Sequence, residues 1–173
     1  MEILADFVKI LLPAGIVLYA MYLIVKTFLN KEFEKRLIDI KIKNTDVVLP
    51  LRLQAYERMC LFLERISHHN LVLRVNDPTY NVAQLHQMLL KEVREEYTHN
   101  MSQQIYMSDQ AWTQIKTAMD EVINIINTAS QSLPREQRGI ELAKMVFDRL
   151  LQLPEDPTAK ALKYLKNEIR QVF

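Results

Sequence analysis

Cysteine is nearly absent. Cys60 is the single one in 173 residues, which excludes an internal disulfide framework and any multi-cysteine zinc site. Glycine is almost as scarce, with Gly15 and Gly139 far apart, so no glycine-rich phosphate loop can be drawn. Charge of one sign is also lacking. Twenty-two Lys+Arg against twenty-one Asp+Glu leave a formal net charge of +1, without the strongly basic balance that nucleic-acid binding favours. No nucleic-acid partner is expected. Fixed-period repeats and low-complexity tracts are missing too. The length suits one compact domain with appendages rather than two full domains.

What the chain does have is one long apolar run. Ile10–Val25 holds sixteen residues without a charge and is closed by Lys26. Extended back to Phe7 it would be roughly 28 Å of helix at about 1.5 Å per residue, close to the roughly 30 Å hydrocarbon core of a bilayer. Lys9 can snorkel from one end, and Pro13 and Gly15 are better tolerated in membrane helices than in soluble ones. A cleaved signal peptide fits poorly, because MEILAD is acidic and no small-x-small pattern follows Val25. Lys26, Lys31, Lys35 and Arg36 follow the run, whereas Lys9 alone precedes it. That excess predicts an N-out, C-in anchor, with those four side chains at the membrane surface. A lone cysteine suits a reducing compartment.

The remainder reads as helical. Leu37–Lys43 (LIDIKIK) alternates like a strand but has no partner strand, and continuation of the membrane helix as a stalk is the other choice. Pro50 is expected to open a helix with Leu49, Leu53, Tyr56, Cys60 and Leu63 on one stripe, widened by Ala55, Met59, Phe62 and Ile66. His68-His69-Asn70 should end it, leaving Leu71–Val75 as an apolar connector. Asp77-Pro78 should start the next helix, to about Asn100, with Val82, Leu85, Leu89, Val93 and Tyr97 inward. Ser108 should cap a helix carrying Trp112, Ile115, Met119, Val122 and Ile126. Pro134 should open one with Ile140, Ala143, Phe147 and Leu150. Asp156-Pro157 should open the last, with Leu162, Leu165, Ile169 and Val172. The predicted fold is all-α: an anchor over residues 1–30, a stalk or connector over 31–47, and a bundle of about four to five amphipathic helices over 48–173.

Chemistry is sparse. Glu96 and His99 have the Glu-x-x-His spacing of carboxylate-bridged metal bundles, and Glu92 lies one turn earlier, within roughly 60° of the wheel. A second such motif is missing, since Glu64 and His68 are four apart, so a polar helix flank is the preferred reading and no metal or other cofactor is expected. His86 reads as a satisfied core histidine, with no carboxylate or nucleophile partner to build a triad. Cys60, in the most apolar helix, behaves as a small hydrophobe. Ser67, Ser102 and Ser108 lack the glycines of a nucleophile elbow. Lys160, Lys163, Lys166 and Arg170 give the last helix a basic flank, which reads as solvated, with docking on a membrane or partner as the other use.

LPLRLQAYERM (Leu49–Met59), LVLRV (Leu71–Val75), EEYTHNMSQQIYMSDQAW (Glu95–Trp112) and INIINTAS (Ile123–Ser130) together resemble a family of uncharacterised proteins of Bacteroidetes-type bacteria. The resemblance runs from about Val48 onward. It implies a bacterial inner-membrane protein with a short anchor and a helical domain, and supplies no substrate, cofactor or catalytic residue. The expected function is that of a non-enzymatic scaffold with the lipid bilayer and a protein partner, or a homo-oligomer, as its contacts. A metal-binding enzyme or sensor using Glu92, Glu96 and His99, and an accessory subunit of a larger inner-membrane complex, are the alternatives.

Overall fold

The computed structural model describes residues 2–171, with the side chains of residues 2–13, 40, 41 and 44 left aside. Readings that involve Phe7, Lys9, Pro13 and Val172 side chains therefore lie outside the described residues. The chain is all-helical, and its order is α1 (Glu2–Ile66), α2 (His68–Val75), α3 (Val82–Asn100), a 3-10 helix (Met101–Tyr106), α4 (Asp109–Gln131), α5 (Gly139–Leu151) and α6 (Pro157–Arg170). Contacts divide it into two compact units, Met1–Leu49 and Pro50–Phe173.

The first unit is part of α1 alone. Leu37–Lys43 is helical, which settles the strand-or-stalk question in favour of helix. Ala14–Asp39 has a mean hydropathy of 1.2 and none of it is buried within the chain. By length and composition this segment can cross a membrane. Pro50 does not open a helix, because α1 runs through it. Lacking an N–H, Pro50 leaves the carbonyl four residues earlier without its usual partner, and the boundary between the two units falls here.

In the second unit α4 is central and packs against α3, α5 and α6, while α2 lies against α3 and α5. The α1 segment contributes Ala55, Tyr56, Met59, Phe62, Leu63 and Ile66 to the core. Both the expected stripe and its widening face inward here: Tyr56 and Leu63 are buried together with Ala55, Met59, Phe62 and Ile66, while Leu49, Leu53 and Cys60 are half-buried. In α5 the inner line is rotated from the expected one: Leu142, Ala143 and Val146 are buried, Phe147 and Leu150 are half-buried and Ile140 is exposed. In α3, Val82, Leu85, Leu89 and Val93 are buried as the periodicity predicts, as are Ile115, Met119, Val122 and Ile126 in α4.

Helix starts show which local signals win. Ser108 caps α4 by accepting from the Ala111 N–H at 3.0 Å, and Asp156 caps α6 by accepting from Thr158 at 2.8 Å with Pro157 in the first turn. Both follow the sequence rules. Asp77 instead closes a turn by accepting from the Thr79 N–H at 2.8 Å. α3 begins at an Asn81/Gln84 capping box, with bonds of 2.8 and 3.0 Å, which satisfies two orphan N–H groups reciprocally. Leu71–Val75 is not a connector. Ser67 breaks the helix at φ −55, ψ 137, and α2 follows at once. Pro134 also sits in a turn, and α5 starts at Gly139. There the Gly139 N–H donates to the Tyr80 carbonyl at 2.8 Å, and a Cβ at Gly139 would stand 2.9 Å from that oxygen. Close backbone approach, not a turn conformation, requires glycine there.

Candidate functional site

Glu92, Glu96 and His99 lie on α3, and the two carboxylates face arginines rather than one another. Arg74 on α2 sits 3.4 Å from Glu92, and Arg65 on α1 sits 2.5 Å from Glu96. His99 is exposed beside Thr98 and Glu95. Among the described residues no group of three or more His, Cys, Asp or Glu side chains is placed to hold a metal ion. The arginines were missed in sequence because each reaches Glu92 or Glu96 from another helix.

This arrangement makes α3 the hub of two cross-helix ion pairs. Replacing Glu92, Glu96 and His99 together with Ala is expected to cost about 2 kcal/mol at most, since partly exposed pairs contribute about 0–1 kcal/mol each. A chelator should leave the melting temperature of the original protein unchanged. A chelator-induced drop that vanishes in the triple variant would make these residues ligands, because a metal bound to the native state stabilises it by mass action.

A second polar constellation joins three helices. The Tyr56 hydroxyl donates to Glu168 Oε1, and the Ser108 hydroxyl donates to Glu168 Oε2 at 2.9 Å. Glu168 on α6 therefore braces α1 and the capping residue of α4. Burial, reinforced by the Glu168 carboxylate, raises the Tyr56 phenol above its ordinary value. In sequence Glu168 is simply an acid beside Lys160, Lys163, Lys166 and Arg170, and its partners come from other helices.

His68 at the start of α2 lies 3.4 Å from Asp156, the cap of α6, and edge-on to Phe147 at 5.4 Å. Burial lowers its pKa, with Asp156 pulling the other way and His69 adding to the depression. Its chemistry is that of a packed imidazole linking two helix starts. His86 is half-buried between α3 and α4, its Nε2 at 2.8 Å from Asn127 Oδ1, at the flank of the core rather than within it. Beside it an open groove of about 850 Å³ is bordered by Lys91, Arg94, Glu95 and Arg135. Lys91 and Glu95 there approach to 3.8 Å. Burial pushes the Cys60 thiol up, against a smaller opposite effect of Lys166, so the nucleophilic thiolate is disfavoured.

Two further sets of basic residues, on α1 and α6, are solvated. Lys26, Lys31, Lys35 and Arg36 are exposed on α1, with Lys26 5.8 Å over the Tyr22 ring and Arg36 3.4 Å from Glu32. On α6, Lys160, Lys163, Lys166 and Arg170 are exposed, while Ala161, Leu162 and Leu165 are buried in the core. The apolar face of α6 is thus already used, largely against α4.

No curated protein and no solved structure matches this chain. A family model described as a family of unknown function, DUF7935, matches residues 2–172, and the chain belongs to that family.

Proposed function

We propose that this protein is a single-pass inner-membrane protein whose cytoplasmic helical domain tethers a protein partner at the bilayer, acting by recruitment rather than by catalysis. The observation that carries the reading is the exposed apolar span. Leu18 and Ile24 are each 68% exposed, and none of Ala14–Asp39 is covered by the rest of the chain. Contiguous apolar surface of this extent is unfavourable in water and favourable in lipid. Lys26, Lys31, Lys35 and Arg36 on its C-terminal side favour the N-out, C-in orientation, and the resemblance to anchored proteins of Bacteroidetes-type bacteria points the same way. Ion-paired carboxylates on α3 and a disfavoured thiolate at Cys60 support binding over chemistry. Confinement near the membrane raises a partner's effective concentration without any new contact.

Orientation is tested with a reporter active in the cytoplasm alone, fused after Phe173. Activity is expected, whereas activity from a reporter that works only outside the inner membrane would overturn the orientation.

A further inference from the structure

The open groove of about 850 Å³ along α3 and α4 has a mixed floor and charged ends. Leu90 and Leu133 are half-buried in it, and so are His86, Asn127 and Ser130. His86 Nε2 lies 2.8 Å from Asn127 Oδ1. An amide oxygen only accepts, so Nε2 donates there. The imidazole Nδ1 and the Asn127 amide N–H groups are left without a protein partner among the described residues. Gln87 and Gln131 stand exposed at the rim with further amide groups. Of the charged side chains, Lys91 and Glu95 answer each other at 3.8 Å. Arg94 and Arg135 are exposed and pair with no carboxylate among the described residues. Their backbones mark opposite ends of the groove. The Ala83 N–H donates to the Arg135 carbonyl at 3.2 Å, and Arg94 follows Ala83 by eleven residues of α3, about 16 Å of helix at about 1.5 Å per residue. One small anion would satisfy both arginines only by drawing two like charges together across that length. An elongated ligand with two carboxylates meets each where it is.

We propose that this groove holds an extended acidic segment of the recruited partner, with one carboxylate on Arg94, another on Arg135 and its backbone on the polar groups between. A guanidinium takes a carboxylate through two parallel N–H donors. At about 3.3 Å per residue, about 16 Å places the two acids about five positions apart in an extended chain. Such a segment brings unpaired backbone N–H and C=O groups. The amides of Gln87, Gln131 and Asn127, the Ser130 hydroxyl and His86 Nδ1 supply donors and acceptors for them. A helix arrives with its backbone bonds already closed and would leave those groups unused. Leu90 and Leu133 receive apolar side chains between the acids. That the occupant is protein rests on the recruitment reading, whereas its charge and length rest on the groove.

The test uses the full chain, purified in detergent and immobilised, with pools of end-blocked hexapeptides as the probe. Glu-X-X-X-X-Glu, with X randomised, should be retained several-fold more than Gln-X-X-X-X-Gln or Lys-X-X-X-X-Lys. It should also exceed X-X-Glu-Glu-X-X, which carries the same charge without the spacing. Arg94→Gln and Arg135→Gln should each lower retention several-fold, and raised salt should weaken it. Arg58→Gln, at an exposed arginine of α1 outside the groove, should leave it unchanged. Trp112 fluorescence melts check that each variant remains folded. Equal retention of spaced and adjacent acids would overturn the extended segment, and retention that survives both arginine variants would overturn the groove as its site. No preference for the spaced Glu pool over the Gln pool would overturn the proposal and leave membrane recruitment to its own tests. Because no bilayer takes part, a full chain released by alkali would remove the tether and leave a positive result here in place.

Discussion

Leu63→Asp is expected to unfold the helical unit, while Leu61→Asp, two residues away on the same helix, should leave it nearly as stable as before. Leu63 is fully buried in the core, whereas Leu61 is 55% exposed. Placing a carboxylate at 63 forces it either to ionise without a partner or to protonate, at a cost of several kcal/mol. Domains of this kind have about 5–15 kcal/mol in total. At 61 the new charge meets water, and the change should stay within about 0.5 kcal/mol. Trp112, the single tryptophan, stands 5.7 Å from the Tyr97 ring, which in turn stands 6.0 Å from Phe62. Its fluorescence therefore reports this core directly. Indistinguishable transitions for the two variants would show that the inner face of α1 is wrongly assigned.

Helix content, the two capped starts at Ser108 and Asp156, and the buried stripes of α3 and α4 were legible from spacing and cap chemistry. Three starts were not. Asp77-Pro78 and Pro134 are good turn formers as well as good helix openers, and sequence alone does not rank those uses. At α3 the Asn81/Gln84 box outcompetes them, and at α5 the start is dictated by hydrogen bonding between Gly139 and Tyr80, far apart in sequence. Pro50 misled for a different reason, since a proline inside a helix weakens it without always ending it. The 3-10 helix at Met101–Tyr106 carries no periodic signal and was not foreseen.

Candidate chemistry was less legible, because each decisive partner comes from another helix. Glu96 and Arg65 are 31 residues apart, and Tyr56 and Glu168 are 112 apart. A helical wheel groups Glu92, Glu96 and His99, but it has no information on the arginines that reach the two glutamates. Contact between helices, not spacing within one, decides whether such a group converges on an ion or is held apart in separate pairs.

Membrane attachment through the N-terminal span is tested most directly by alkaline extraction of membranes from cells making the full chain or the chain without residues 1–30. None of Ala14–Asp39 is buried within the chain, and in lipid each Leu, Ile, Phe or Val at the centre of a span contributes about −0.3 to −0.6 kcal/mol. The full chain should stay in the pellet after alkaline washing. The shortened chain should move almost entirely to the supernatant, with a Trp112 melting transition within a few degrees of the original. A full chain released by alkali, or a shortened chain that remains membrane-embedded, would contradict the anchor.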